Sequence, residues 1–328
     1  MVHLLDIGVG AIMTDRPRVL RDLLQARGQW QPDPSRARGG CDLAAWHSPV
    51  RRLYARLVCD GETSMQGSAN LNIMLKAARK AGRSLVKDFR EVENLQVSAK
   101  GPGDFVSRAD RAAEEILKTE LMTARPNYGF LGEEGTRIEG IDPTRRWIVD
   151  PLDGTTNFLH GMPHWAVSIA LEHKGEIVAG VVYDPAKDEM FYAEKGAGCW
   201  LNDSQRLRVS GRNKMIECVF AAGIPFGGGQ YLPATLQDLA HLMPACAGVR
   251  RWGSAALDLA YVAAGRYDGY WERGLKAWDI AAGLLLVREA GGLVQPIREG
   301  QDMLTDGQLV AASEPIFDNF AAIIRDGG

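Results

Sequence analysis

The sequence predicts a mixed α/β fold in two parts. Apolar residues at helical spacing mark two segments before residue 125, and apolar strands separated by turn residues follow from 146 to 204. After Val209 strands and helices alternate, which is typical of an α/β layer. We therefore predict an α+β part with an antiparallel sheet and two helices at 65–208, and an α/β part at 209–328.

The elements of the first part follow from local signals. A helix is predicted over 70–91, and Ser107 is a plausible N-cap for a second helix that ends before Pro126. "RWIVD" reads as a short strand, because it is rich in β-branched and aromatic residues. Two longer apolar strands meet at Lys174-Gly175, which predicts a hairpin, and "DEMFYAEKGAGCWLND" extends the sheet.

The second part alternates regularly. Strands are predicted at "ECVFAA", "GVRRW", "YDGYW" and "QLVAAS". Helices are predicted at "TLQDLAHLM", "SAALDLAYVAAG", "DIAAGLLLVREAGG" and "PIFDNFAAIIRD".

Charge and cysteine content exclude several classes of protein. The chain has 328 residues, 46% of them hydrophobic, and a formal net charge of -3, so it has no whole-protein basic footprint for nucleic acid or an anionic membrane. Its five cysteines are widely spaced, which favours reduced thiols over a disulfide framework or a zinc site. The sequence has neither a membrane-length apolar run nor the features of a signal peptide. We expect a cytoplasmic protein.

Residues 1–64 differ from the rest of the chain in composition and in apolar periodicity. They contain nine arginines, no lysine and no sustained apolar period. One interpretation is an arginine-bearing arm that contacts RNA or a partner. The other, which we favour, is a poorly ordered extension, because no motif or charge block marks a contact surface.

The segment "WIVDPLDGTTNF", residues 147–158, carries the strongest chemical signal. Pro151 favours extended geometry at Asp150, and Asp153 follows within one tight turn. Two carboxylates in one small volume repel each other unless a cation lies between them, and hard oxygen ligands favour Mg²⁺ or Mn²⁺. Gly154 permits close backbone approach, and "TTN" suits a helix start that can bind an anion. The segment therefore predicts a metal and phosphate site.

Two further acidic positions strengthen this hypothesis. "FLGEEG" places Glu133 and Glu134 in a glycine-flanked turn, and "KAWDIAAG" places Asp279 at the start of an apolar helix. Taken alone, the first would be a solvated surface pair and the second a helix-capping aspartate.

The motifs "GEE", "WIVDPLDGTTNF" and "WDIAAG…EAGG" together resemble the inositol monophosphatase family of Mg²⁺-dependent, lithium-sensitive phosphatases, from Met65 to the C-terminus. The resemblance implies a layered αβαβα sandwich of the sugar-phosphatase type, a homodimer, and two or three Mg²⁺ ions for which Mn²⁺ can substitute. The implied metal ligands are Glu133, Asp150, the carbonyl of Leu152, Asp153 and Asp279. The implied catalytic residues are Glu133, Thr155 and Asp150. The implied phosphate cradle is Gly154, Thr155 and Thr156.

The resemblance also implies a substrate pocket and an outer site. The implied substrate-binding residues are Asp153, Gly253, Ser254, Ala255, Glu272 and Asp279. Lys100 and Asp110 match a region that holds a lysine near the site and an aspartate near a third metal.

The resemblance implies direct attack of a metal-activated water on a phosphate monoester, with myo-inositol 1-phosphate as the leading substrate. Related sugar, histidinol and nucleotide phosphates are alternatives, and Glu272 favours the inositol ring. A second function remains open, since some bacterial members of the family look to be partners of the transcription machinery on ribosomal RNA. We interpret His160 and His164 as loop polar groups, and the tryptophans near the motifs as core or pocket-wall residues.

Overall fold

Layers of helices and sheets alternate in the computed structural model, which describes residues 67–91, 97–101, 104–224 and 229–326. Two helices cover one face of a large sheet, two more lie between that sheet and a smaller one, and two cover the outer face of the smaller sheet. This αβαβα order confirms the fold class predicted from the sequence.

The first helical layer begins with two serine caps, as expected for helix N-termini. The Ser68 hydroxyl accepts the Leu71 N–H at 3.2 Å, and the Ser107 hydroxyl accepts the Ala109 N–H at 3.0 Å. Both helices bury one apolar face against the large sheet. The predicted helix at 70–91 and the predicted cap at Ser107 are confirmed. These helices are α1 (Ala69–Phe89) and α2 (Arg108–Ala124).

The large sheet has eight strands in the order β10-β9-β8-β7-β6-β5-β3-β4. It is antiparallel except where β3 pairs in parallel with β5, so the prediction of a fully antiparallel sheet is wrong at this edge. The chain reverses once into β4 and again into β5, so β5 runs in the direction of β3. The strands are β3 (Gly129–Gly132), β4 (Arg137–Ile138), β5 (Arg145–Asp153), β6 (Ala166–His173), β7 (Glu176–Asp184), β8 (Glu189–Glu194), β9 (Gly198–Leu201) and β10 (Gln205–Leu207).

A separate two-stranded ladder precedes α2 and consists of β1 (Val97–Gly101) and β2 (Asp104–Ser107). Strands β6 and β7 form the predicted hairpin. Its turn residues, Lys174 and Gly175, have φ angles of 53° and 80°, the left-handed geometry that suits a two-residue hairpin turn.

The central helices are apolar on nearly every side, because sheets cover both of their faces. An added Cβ at Gly283 would lie 2.5 Å from Leu259 Cδ1, so this glycine allows the two helices to pack closely. These helices are α5 (Ala255–Ala263) and α6 (Ala277–Glu289).

The small sheet has five strands in the order β12-β11-β13-β15-β14. β11 is parallel to β12 and β13, whereas β15 is antiparallel to both of its neighbours. The strands are β11 (Val219–Ala222), β12 (Gly248–Arg250), β13 (Gly269–Arg273), β14 (Gly292–Gln295) and β15 (Gln308–Ser313). The remaining helices are α4 (Leu232–Leu242), α7 (Met303–Asp306) and α8 (Glu314–Asp326), with the short α3 (Thr155–Leu159) lying earlier in the chain.

The structure bears differently on the two predicted boundaries of the chain, at residues 64 and 208. The predicted extension at 1–64 lies outside the described residues. Strands of the large sheet end at Leu207 and those of the small sheet begin at Val219, on either side of the predicted division at 208, which stays a prediction. Within the described residues, no helix is both long enough and apolar enough to cross a membrane.

Candidate active site

Strand β5 delivers the first predicted metal ligand to the base of the site. Trp147 and Val149 face the α1/α2 side of the large sheet, and Ile148 faces the central helices. Asp150 is buried, and its Oδ1 accepts the Leu152 N–H at 2.9 Å. The strand does not end at Asp150, as the sequence suggested, but continues with a break in its register to Asp153. Pro151 lies within that break, where its missing N–H leaves no ladder bond unmade.

Four carboxylates interact with one another at the end of this strand. Burial raises the pKa of Asp150 well above its usual range, and the charges of Glu133, Asp153 and Asp279 raise it further. Burial and the charge of Asp153 likewise raise the pKa of Asp279. Burial raises the pKa of Asp153 to about 6, although hydrogen bonds from Ser254 and two backbone amides oppose the rise. We call Glu133, Asp150, Asp153 and Asp279 the carboxylate cluster.

Asp153 is held by the start of helix α5. Ser254 Oγ donates to Asp153 Oδ2 over 2.6 Å, and the Ala256 N–H donates to the same oxygen over 2.7 Å. Gly253 has a φ of 80°, which lets the chain turn into the helix cap. The predicted substrate-binding segment 253–255 therefore lies against the central motif, and the hydroxyl of Ser254 within it orients Asp153.

Asp279 lies in the first turn of α6, as its third residue. Its Oδ2 accepts the Lys276 N–H at 2.7 Å, so one carboxylate oxygen of Asp279 caps the helix. A carboxylate has further acceptor sites, which leaves Asp279 able to serve the cluster as well.

Glu133 and Glu134 lie in the turn between β3 and β4, as predicted. The Glu133 N–H donates to the Val149 carbonyl at 3.2 Å, and the Glu133 side chain is hydrogen-bonded to Asp150. Sequence reasoning missed Glu114 of α2, a buried carboxylate that accepts the Glu134 N–H at 2.8 Å. Its only sequence signal is an acidic residue on the buried face of an amphipathic helix.

Gly154 and Thr155 begin the short helix α3, as the sequence predicted. Gly154 has a φ of 97°, and an added Cβ would lie 3.1 Å from the His164 carbonyl oxygen. Thr155 Oγ1 lies 2.9 Å from Asp110 Oδ1 and 3.1 Å from the Leu152 carbonyl oxygen, within hydrogen-bonding distance of both acceptors. Thr156, the second residue of the helix, is partly buried.

The two residues predicted for an outer site have different outcomes. Asp110 is buried, and its Oδ2 accepts the Ser107 N–H at 2.9 Å and the Ser107 hydroxyl at 2.6 Å. Asp110 therefore caps α2 while its other oxygen contacts Thr155. Lys100 lies on β1, where the structure describes only the backbone, so its role stays a prediction.

Asn157 ties the motif to the segment before α5. Its Nδ2 donates to the carbonyl of His164 at 2.8 Å and to that of Trp252 at 2.7 Å. His164 lies in the loop before β6, as predicted, and its ring is buried beside Trp252 and Tyr261, which that prediction did not indicate. Burial lowers the pKa of His164 to about 4, so the ring is neutral near pH 7. Trp252 is 51% exposed and belongs to the surface rather than the core.

Glu272, which is partly buried, lies on β13 in a second acidic region. The Tyr270 hydroxyl donates to Glu272 Oε2, and Gly223 leaves room for the carboxylate, because a Cβ there would lie 1.8 Å from Glu272 Cδ. Burial raises the pKa of Glu272 to about 7. Asp258, which the sequence reasoning missed, is buried nearby, and the Glu272 charge adds to the burial that raises its pKa. An aspartate inside the apolar helix sequence "AALDLAYVA" was its one signal.

The donor set fits a hard divalent cation in its chemistry. The carboxylate cluster supplies oxygen ligands. Repulsion among these carboxylates raises the pKa values of Asp150 and Asp279, and a bound cation would remove that repulsion. Within the described residues, no group of three or more His, Cys, Asp or Glu side chains is already arranged around a metal position.

Comparison with known proteins gives the site a family. The sequence model of the inositol monophosphatase family matches residues 68–326. The chain belongs to the inositol monophosphatase family. An inositol-1-monophosphatase of Mesorhizobium japonicum is 61% identical over 252 residues, which span 77% of this chain and 94% of the relative. The match confirms the resemblance recognised from the motifs.

Two further relatives of this inositol monophosphatase family member carry other names. A protein of Escherichia coli named Nus factor SuhB is 44% identical over 256 residues, which span 78% of this chain and 96% of the relative. The crystal structure of extragenic suppressor protein suhB from Bartonella henselae has a TM-score of 0.77 and 53% identity, and covers 80% of this chain and 100% of that one. Family membership makes this chain a phosphatase, a phosphoric monoester hydrolase of a generally metal-dependent family.

Proposed function

We propose that this protein is an Mg²⁺-dependent phosphatase that hydrolyses inositol monophosphate to myo-inositol and phosphate. One observation carries the proposal most strongly. Asp150 is buried where three other carboxylates raise its pKa: Asp153 of the same strand, Glu133 of the turn between β3 and β4, and Asp279 of helix α6. Burying such a set of like charges is costly unless a cation or protons neutralise it.

The proposed ligands of two Mg²⁺ ions are the carboxylate cluster and the Leu152 carbonyl, with Asp110 near a third ion. Bound Mg²⁺ would neutralise phosphate charge and lower the pKa of water, and Mn²⁺ would substitute. Within the carboxylate cluster, Asp150 is the most deeply buried, and the charges of the other three carboxylates all raise its pKa, so we place it at the centre of the site.

Other residues of the chain orient the attacking water and bind the phosphate. Glu133 and Thr155 orient the attacking water, and Thr155 is itself oriented by Asp110 across 2.9 Å. Gly154, Thr155 and Thr156 supply backbone N–H groups to the phosphate, because no Cβ at Gly154 obstructs the approach. The water attacks phosphorus directly, in line with the leaving alkoxide, and no phosphoenzyme forms.

The substrate class follows from the second acidic region. The Glu272 carboxylate, oriented by Tyr270, is a hydrogen-bond acceptor suited to vicinal ring hydroxyls. The segment of Gly253, Ser254 and Ala255 adjoins Asp153 and forms the neighbouring wall of the proposed pocket. These features favour a cyclic polyol phosphate over a nucleotide, and the relatives named inositol-1-monophosphatase support that choice.

Phosphate release from a substrate panel tests the proposal. The panel comprises myo-inositol 1-phosphate, fructose 1,6-bisphosphate, histidinol phosphate, a nicotinamide dinucleotide phosphate and 3′-phosphoadenosine phosphate, each assayed with Mg²⁺ and with EDTA. We expect Mg²⁺-dependent turnover, with the highest kcat/KM for inositol 1-phosphate. Turnover that is unchanged in EDTA, or preference for a nucleotide, would contradict it.

A second role, as a partner of RNA or the transcription machinery, is favoured by one observation, the relatives named Nus factor SuhB. The exposed Arg250 and Arg251 lie at the end of β12, beside the proposed pocket. The test compares wild type with Asp150→Asn for binding to ribosomal leader RNA and transcription proteins. Binding that survives in the inactive variant would support the partner role, and no binding by either protein would remove it.

The homodimer and the lithium sensitivity implied by the resemblance stay predictions, as does the cytoplasmic location predicted from the cysteine content and the lack of membrane and signal segments. Sedimentation at several protein concentrations tests the first. Inhibition of phosphate release by LiCl, with NaCl as the control salt, tests the second.

A further inference from the structure

Glu114 is a buried acid that the proposed mechanism does not use. It lies on the inward face of α2, and both of its carboxylate oxygens hold the turn between β3 and β4. Oε2 accepts the Glu134 N–H at 2.8 Å, and Oε1 accepts the Thr136 hydroxyl at 2.5 Å. A carboxylate oxygen is a strong acceptor for such donors, and these two bonds span the turn that carries Glu133.

The Glu114 carboxylate is tightly packed against β3. A Cβ added at Gly132 would lie 2.3 Å from Glu114 Oε2, so the carboxylate rests directly on the backbone of β3. The turn is fixed from its other side by the Glu133 N–H, which donates to the Val149 carbonyl of β5 at 3.2 Å. Glu133 is thus held between α2 and the strand that carries Asp150.

Glu114 also lies one helical turn beyond Asp110, so both acids point from the same face of α2. Asp110 contacts Thr155, and Glu114 contacts the turn of Glu133. Glu133 and Thr155 are the pair that the proposed function assigns to the attacking water. One face of one helix therefore supports both members of that pair.

We propose that Glu114 is a positioning residue, which holds the Gly132–Thr136 turn so that Glu133 reaches the carboxylate cluster in a metal-binding orientation. The proposal rests on the proposed function, because it concerns the cation-binding competence of Glu133. Partners that orient metal ligands typically contribute 10- to 100-fold to metal affinity or activity.

The central experiment measures Mn²⁺ binding to the full chain by titration calorimetry and electron paramagnetic resonance, without substrate. Glu114→Leu removes both acceptors at similar volume, and we expect its Mn²⁺ Kd to rise by at least about tenfold. Glu114→Gln keeps one carbonyl oxygen for the Glu134 N–H and an amide that can donate to Thr136 Oγ1. We expect the Kd of this conservative variant to fall between wild type and Glu114→Leu.

Glu115→Gln is the matched control on the same helix, because Glu115 points outward and pairs with Lys118 at the surface. Its Mn²⁺ affinity and activity should equal those of wild type. A graded loss in the Glu114 series alone separates positioning of Glu133 from a general effect of charge on α2.

A second pair of variants covers the case in which Glu114→Leu fails to fold. Thr136→Val removes the hydroxyl that donates to Glu114, and Thr235→Val removes a buried hydroxyl that donates to the Tyr231 carbonyl within α4. We expect Thr136→Val to weaken Mn²⁺ binding and Thr235→Val to leave it unchanged, even at similar losses of thermal stability. Saturating Mg²⁺ should restore most of the kcat of Thr136→Val.

The outcomes separate the two proposals. If wild type binds Mn²⁺ and Glu114→Leu or Thr136→Val binds it equally well, the positioning role is overturned and the proposed function stands. If wild type binds no Mn²⁺ and releases no phosphate, both are overturned.

Discussion

Ser254 and Asp153 are joined by a hydrogen bond of 2.6 Å although they lie 101 residues apart in the sequence. Ser254 is also the N-cap of α5, and its Oγ accepts the Leu257 N–H at 3.4 Å. One hydroxyl therefore begins a central helix and orients a residue of the carboxylate cluster, which links helix formation to the geometry of the site.

Ser254→Ala should weaken both functions of this hydroxyl. Loss of an N-cap costs about 1 kcal/mol, and a hydrogen bond to a charged group contributes about 1.5–3 kcal/mol. We expect the free energy of unfolding in urea to fall by about 2–4 kcal/mol, since both interactions are lost. We also expect phosphate release to require a higher Mg²⁺ concentration, because Asp153 loses its Ser254 donor and keeps backbone donors such as the Ala256 N–H.

Ser313→Ala is the matched control for that substitution. The Ser313 hydroxyl is buried and has no hydrogen-bond partner among the described residues, so its removal should leave stability and activity near wild type. Equal losses in the two variants would contradict the assigned role of Ser254.

Asp150→Asn should separate stability from activity. The variant is isosteric and keeps an acceptor for the Leu152 N–H, yet it removes the charge that burial and three carboxylates disfavour. Because burial and the neighbouring charges disfavour the ionised form of Asp150, we expect the unfolding free energy of the variant in EDTA to rise. We expect phosphate release to fall by several orders of magnitude, because electrostatic stabilisation is usually the largest catalytic contribution.

Thermal unfolding of Asp150→Asn with EDTA and with Mg²⁺ completes that measurement. Wild type should gain stability from Mg²⁺ by binding linkage, and the variant should gain little. Asp203→Asn, at the surface beside Arg79, serves as the control and should behave as wild type does. A variant that is destabilised in EDTA would contradict the repulsion within the cluster.

Glu272→Gln should change substrate discrimination more than chemistry. In the proposed pocket the Glu272 carboxylate accepts substrate hydroxyls, and a charged hydrogen bond of about 1.5–3 kcal/mol corresponds to about a 10- to 150-fold effect. We expect that fall in kcat/KM for inositol 1-phosphate. p-Nitrophenyl phosphate has no ring hydroxyls, so its kcat/KM should change by less than about threefold. Equal falls for both substrates would place Glu272 in the chemical step instead.

His164 should make the protein less stable in acid. Burial lowers the pKa of its ring to about 4, and in the unfolded chain the ring titrates near pH 6.5. The unfolded chain therefore binds the extra proton first. The stability contributed by the neutral ring is complete above pH 6.5 and is lost as pH falls toward 4, by at most about 3 kcal/mol.

His164→Phe should remove this component of the pH dependence. The measurement is the free energy of unfolding between pH 7 and pH 4, compared with wild type and with His241→Phe at an exposed position of α4. We expect a flatter profile for His164→Phe alone. A profile as steep as that of wild type would show that the ring does not titrate in this way.

Local signals in the sequence were sufficient for most of the elements. The apolar period of α1, the Ser107 cap and the Lys174-Gly175 turn each predicted the structure observed, because each depends on residues close together in the chain. The parallel pairing of β3 with β5 was missed, since it depends on a two-residue strand, β4, that carries too few residues to show a pattern.

The central motif was also readable, in part. Its order of aspartate, proline, aspartate and glycine indicated where a cation and an anion would meet. The left-handed φ of Gly154 is a further feature, which the sequence analysis did not predict. The loop position of His164 was predicted but its burial was not, because the sequence beside the motif does not show that its ring lies against Trp252 and Tyr261.

The sequence by itself determined the helices, most of the strands and the identity of the acidic residues, because these follow from local periodicity and side-chain chemistry. Only the tertiary structure decided that Glu133 and Asp279 act on Asp150, and that Ser254 and Glu114 support the site. Those contacts depend on the register of the large sheet and on how the central helices pack against it. Such non-local packing leaves no trace in any short stretch of sequence.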